Sequence, residues 1–142
     1  ISGAIPVDNI SENLPKMDAV TLHCPKNDET TDLFTKKEFD LMKKSSFVIN
    51  CARGGILNEE DLYEALKNEN ISGAGLDVFD VEPTPSSNPL FKLNNVILSP
   101  HIAGVTVEST VRMATETVQN VLDVLDDKVN QSVVINNKEI GM

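Results

Sequence analysis

The sequence predicts an α/β fold in which helices cross over a parallel sheet. Three observations carry that prediction. Short apolar runs alternate with helical stretches along the chain. The runs are near-continuously apolar, as suits strands buried on both faces. Turn-forming residues stand at the joins, with no internal repeat and no low-complexity linker. The length of 142 residues suits one domain, and 40% hydrophobic against 24% charged residues favours a packed core over disorder.

The strand candidates in order are Ala19 to Cys24, Phe47 to Asn50, Ala74 to Val78 and Val96 to Ser99. Thr35-x-x-Glu38 is a capping box flanked by Phe34 and Phe39 at the staple positions, so a helix is expected to start there. Asn58 caps the next helix, stapled by Leu57 and Leu62 and closed by Asn68 and Asn70. The segment Glu82 to Pro89, with three prolines, reads as a shaped surface loop. From about Thr106 the longest helix sets Val111, Ala114, Val118, Val121, Leu122 and Leu125 on one face.

Composition excludes several roles. With 22 acidic and 12 basic residues the formal charge is −10, which repels phosphate backbones and anionic membranes. No apolar run approaches the roughly 18 residues of a spanning helix, and no targeting segment is evident at Ile1-Ser2-Gly3. The expectation is a soluble, cytoplasmic protein that binds neither nucleic acid nor membrane. Cys24 and Cys51 lack disulfide or zinc spacing and are expected as reduced, half-buried core residues, with no metal site.

The scarce ionisable residues fall in telling places. There are two histidines, His23 and His101, and two arginines, of which Arg53 follows the second strand. His23 with Pro25, then Arg53, then Asp77 leading to Glu82, then His101 all stand at C-terminal strand ends. In an open parallel sheet those ends share one edge, where ligands bind. Singly, each has an ordinary reading: a strand-end histidine, a surface ion-pair partner, a solvated carboxylate. Together they suit a 2-hydroxy or 2-oxo acid. Histidine exchanges a proton near neutral pH, a carboxylate orients it, and arginine holds a carboxylate through two parallel hydrogen bonds. Asp77, acidic within an apolar strand, must be paired or ligand-bound. No group here supplies a hydride, so redox chemistry requires a cofactor. The one G-x-G, Gly73-Ala74-Gly75, leads into a strand and is no pyrophosphate loop.

LHCP at 22 to 25 with Glu29-Thr30, INCARGG at 49 to 55, GAGLDVFDVEP at 73 to 83 and SPHIAG at 99 to 104 follow one another in an order and spacing that resemble the NAD-dependent D-2-hydroxyacid dehydrogenases. The resemblance spans nearly the whole chain. It implies the second half of a doubly wound, Rossmann-type dinucleotide-binding domain over residues 1–129, followed by a closing segment, 130–142, that would pack toward a substrate domain. It further implies that Arg53 binds the substrate carboxylate and that His101, paired with Glu82, is the acid–base. His23, Cys24, Pro25, Thr30, Cys51, Ala52, Arg53, Asp77, His101 and Gly104 are implied to contact the cofactor, Asp77 by accepting from the carboxamide. The cofactor implied is NAD, with NADP as the alternative.

Lys26-Asn27-Asp28 departs from the family's common apolar-threonine-proline run. Family members also carry a substrate domain and the GxGxxG half before the point where this chain begins. The expectation is therefore the C-terminal part of a longer, homodimeric enzyme, acting on 3-phosphoglycerate or on hydroxypyruvate or glyoxylate. A piece with an unprotected first strand is expected to aggregate. Two other readings stand beside the enzyme: a dinucleotide-sensing corepressor-like binding protein on the same scaffold, and an inert half-domain.

Overall fold

The computed structural model describes residues 3–136 of the chain. They fall into two compact units, one ending at Ala103 and the other beginning at Gly104. The first holds four parallel strands, β1 (Ala19–Leu22), β2 (Phe47–Asn50), β3 (Gly73–Leu76) and β4 (Val96–Leu98), side by side in chain order. Each expected strand is present and runs short of its predicted C-terminal end except β2. The residues beyond those ends turn away to form the site.

Register places Leu22, Asn50, Leu76 and Leu98 in one row, and Val20, Val48, Ala74 and Val96 in another on the same face. These residues face the core. The row between them, Thr21, Ile49, Gly75 and Ile97, stays partly or largely exposed, Ile97 at 80%. Near-continuous apolar character predicts burial on both faces; within the unit that ends at Ala103 the described residues cover one face.

Helix α1 (Lys36–Leu41) starts as its capping box requires: the Glu38 carboxylate accepts from the Thr35 backbone N–H at 3.1 Å and from its hydroxyl at 2.8 Å. The staple rings of Phe34 and Phe39 meet with centroids 6.1 Å apart, both fully buried. Burial alone would raise the Glu38 carboxyl, but the Thr35 hydrogen bonds outweigh it and hold it below its ordinary value. Helix α2 (Glu59–Lys67) begins at Asn58, whose side chain accepts from Asp61 N–H. It closes through Asn68 and Asn70, as expected, yet the left-handed residue between them is Glu69, with φ 54°. Asn70 N–H reaches Ala65 C=O and Glu69 N–H reaches Leu66 C=O, the paired bonds of a Schellman motif. The core gathers Leu14, Leu22, Phe34, Phe39, Val48, Ile56, Leu57, Leu62, Leu66, Ile71, Leu76 and Leu90.

In the second unit, α3 (Val107–Leu125) starts at Thr106, which caps Ser109 N–H. It ends in another Schellman turn at Asp127, φ 54°. Its apolar stripe is exposed, Val111 at 62% and Leu125 at 75%. A 3-10 turn, Gln131–Val133, follows. Of the segment expected to close the chain, residues 137–142 lie outside the described residues.

Candidate active site

The continuation of β3 holds both members of the proposed acid–base pair. Past Leu76 the backbone carbonyl of Asp77 accepts from His101 N–H at 2.7 Å. Its carboxylate accepts from the Ser99 hydroxyl at 2.6 Å and from Ile102 and Ala103 N–H, each at 2.8 Å. This grip bends the chain after β4 so that His101 takes φ 56°, a left-handed conformation costly for a side chain with a Cβ. Two residues on, Phe79 N–H donates to Glu82 Oε1 at 3.0 Å, and Glu82 Oε2 lies 2.8 Å from His101 Nδ1. Nε2 of the imidazole is not engaged by Glu82.

The family resemblance implies that Asp77 accepts from the cofactor carboxamide. It is 2% exposed and occupied by three donors from its own chain. Its position makes it the clamp of the His101 turn. Burial raises its carboxyl, but the Ser99 hydroxyl, the Ala103 and Ile102 amides and the nearby His101 together hold it below its ordinary value. Glu82 is held low by its hydrogen bond with His101 first, then by Phe79 N–H, with the field of Arg53 adding to both.

Arg53 stands in the turn after β2. The side chain of Asn50, 1% exposed, accepts from Ala52 N–H at 3.0 Å and donates to Arg53 C=O at 2.9 Å. Gly54 lets the turn press on the β3 continuation: a Cβ there would lie 1.8 Å from the Phe79 carbonyl oxygen. Gly55 follows with φ 77°, where a side chain would be strained. Glu59 at the start of α2 accepts from Asp80 N–H and, at 3.0 Å, from Asn88 Nδ2, fastening the proline-bearing loop.

At the end of β1, His23 Nε2 shares a hydrogen bond with the Thr21 hydroxyl at 2.9 Å. The Thr30 hydroxyl donates to Pro25 C=O at 2.6 Å and accepts from Asn27 N–H at 2.9 Å. Thr30, expected at the cofactor, thus shapes the Pro25 to Asn27 turn. Cys24 is half-buried, whereas Cys51, expected in the core, is exposed because the chain leaves the sheet at Asn50.

The residues expected at one edge of the sheet do gather there, in two cavities. One, of about 680 Å³, has His101, Glu82, Ser99, Phe79, Phe91 and Leu98 among its lining. The other, of about 470 Å³, is lined by His23, Cys24, Pro25, Lys26, Cys51, Ala52 and Arg53. Arg53 and His101 therefore face different cavities, and Glu82 lines the one that holds His101. Gly104 belongs to the second unit. Sequence reasoning did not single out Asn50 or Ser99. Their one signal is position, a polar residue closing or following an apolar strand.

An imidazole–carboxylate pair, a guanidinium and a cavity at the carboxyl edge of an open parallel sheet define a ligand-binding α/β domain with acid–base capacity. The chain belongs to the D-isomer specific 2-hydroxyacid dehydrogenases: residues 2–103 match that family's NAD binding domain. It is 42% identical over 127 residues to a glyoxylate reductase of Thermofilum pendens, covering 89% of this chain and 37% of that protein. With a D-3-phosphoglycerate dehydrogenase of Methanocaldococcus jannaschii the identity is 41% over 128 residues, 90% of this chain and 24% of the relative. The NAD-complexed D-isomer specific 2-hydroxyacid dehydrogenase of Lactobacillus delbrueckii ssp. bulgaricus superposes with TM-score 0.78 at 30% identity, over 86% of this chain and 41% of that one. The chain thus spans well under half the length of these relatives.

Proposed function

We propose that the protein carrying this domain transfers a hydride between NAD(H) and C2 of a small 2-hydroxy or 2-oxo acid of the D series. The observation that carries the reading is the Glu82–His101 pair at 2.8 Å within the field of Arg53. The residues present fit a nicotinamide: Gly54 brings the backbone against β3, and His23, Cys24, Pro25, Cys51 and Ala52 wall a cavity beside Arg53. The bound cofactor would supply or accept the hydride.

The chain's own residues do the rest. Arg53 holds the substrate carboxylate by charge-assisted hydrogen bonds, which fixes C2 relative to the imidazole. His101 delivers a proton to the carbonyl oxygen during reduction and withdraws it from the hydroxyl during oxidation. Glu82 holds Nδ1, leaving Nε2 for that transfer, and stabilises the imidazolium. The names of the relatives support glyoxylate, hydroxypyruvate or 3-phosphoglycerate as substrate class. The reading takes the described residues as part of a dinucleotide-binding domain of a cytoplasmic homodimer. Among the described residues no helix is long and apolar enough to cross a membrane.

The test is isotopic. The intact enzyme is incubated with NADH or NADPH dideuterated at C4 and with glyoxylate or hydroxypyruvate, and the product is examined by NMR. Deuterium at C2 of the hydroxy acid is the expected result; unlabelled product, or no product with either dinucleotide, overturns the reading.

A further inference from the structure

Asn50 is the buried end of β2, in a row with Leu22, Leu76 and Leu98. A polar side chain in such a row is costly unless its hydrogen bonds are made. Both are made, and both to the next turn: Oδ1 accepts from Ala52 N–H and Nδ2 donates to Arg53 C=O. The turn needs one acceptor and one donor, separated by the width of an amide. A carboxylate has no donor, and a hydroxyl is too short to reach both groups. The Asn50 carbonyl, meanwhile, accepts from Asp77 N–H at 3.0 Å, tying the turn to the residue that clamps His101.

We infer that Asn50 is a positioning residue: it sets the turn that aims Arg53 at the substrate carboxylate, and it does so without touching the substrate. The inference rests on the hydride-transfer reading for its kinetic consequence and on the backbone geometry alone for its structural one. A merely structural asparagine would lower thermal stability when replaced and leave substrate affinity alone. A positioning one raises KM for the oxo acid with kcat nearly kept, because Arg53 binds ground and transition states alike.

The experiment uses the full-length enzyme with Asn50→Ala and Asn50→Asp, the latter keeping volume and the acceptor while losing the donor. The expected result is a KM for the oxo acid raised about tenfold with kcat within about threefold. Asn50→Ala combined with Arg53→Lys should raise KM less than the product of the two single effects, since both act through one contact. Amide hydrogen exchange on the same proteins should quicken at residues 51–55. Unchanged KM in both variants, or multiplicative effects in the double variant, overturns the inference. If the parent enzyme turns over no oxo acid, the hydride-transfer reading fails separately. Exchange then decides alone: faster exchange confined to 51–55 supports the positioning of the turn, and unchanged exchange refutes it.

Discussion

Glu82 bridges Phe79 and His101: one carboxylate oxygen takes the Phe79 amide at 3.0 Å and the other lies 2.8 Å from His101 Nδ1. Because Phe79 belongs to the continuation of β3, the carboxylate is referenced to the sheet as well as to its own loop. Glu82→Gln keeps the shape and removes the charge that stabilises the imidazolium. In the intact enzyme kcat for oxo-acid reduction is expected to fall about 10²-fold, within the range typical of positioned acid–base catalysis, with KM little changed. Steady-state kinetics measures the split; a kcat within twofold of the parent would mean the carboxylate does no more than hold the loop.

Gly54 and Gly75 make a matched pair for stability. A Cβ at Gly54 would strike the Phe79 carbonyl at 1.8 Å, whereas one at Gly75 meets only Ile49 carbons at 3.8 and 3.9 Å. Gly54→Ala is expected to cost about 1–3 kcal/mol or more, since the backbone must shift. Gly75→Ala should be near neutral, because an added methyl finds room and alanine restricts the unfolded chain. Thermal denaturation of the two variants checks the order, and equal melting temperatures would show that the 53–55 turn gives way freely.

The pH dependence of stability follows from Asp77 and Glu82, both held below their ordinary values. In each case the folded state favours the ionised form. Their stabilisation is therefore complete above the unfolded-chain carboxylate range, about pH 4, and is lost as pH falls through the lower folded values. Asp80 runs the other way: burial and Glu59 push its carboxyl up, so its charge is a cost at neutral pH that acidification relieves. Asp77→Asn should remove part of the acid-limb slope and, by leaving a donor of the 99–103 turn unpaired, cost about 1–3 kcal/mol at pH 7. Urea titrations between pH 3 and 7 measure both effects. An unaltered slope in Asp77→Asn would show that the clamp carries no charge-dependent stability.

Cys51 offers a direct check on the Arg53 cavity. Its thiol is exposed while that of Cys24 is half-buried, and both line the cavity assigned to the nicotinamide. A chromogenic aromatic disulfide should modify Cys51 first, and NADH should slow that reaction in the intact enzyme. Equal rates with and without dinucleotide would place the cofactor elsewhere.

Much of this arrangement could be read in advance from local signals. A capping box announces α1 and a stapled N-cap announces α2, because each is contained in a few consecutive residues, and α3 stands out by the spacing of its apolar face. The four strands stand out because β-branched and apolar residues cluster between turn formers. What escaped depends on contacts remote in sequence. Asp77 attracts attention as an acid in an apolar strand, but only the fold shows its three donors arriving from Ser99, Ile102 and Ala103. The exposed row of Thr21, Ile49, Gly75 and Ile97 looks like core when read by composition. Cys51 resembles a buried small residue until the chain is seen to leave the sheet one position earlier. Sequence order places Arg53 after β2 and His101 after β4, yet their division between two cavities is set by the turns, whose geometry rests on Asn50, Gly54 and Asp77.

In the proposed mechanism Arg53 binds and His101 moves the proton, two roles on two turns. The most direct test compares Arg53→Lys and His101→Ala in the intact enzyme with the same oxo acid. Arg53→Lys is expected to raise KM about ten- to a hundredfold through loss of the bidentate contact, with kcat reduced far less. His101→Ala should lower kcat by about 10²–10⁴ with KM nearly unchanged. Steady-state constants that move together in both variants, or in neither, would contradict it.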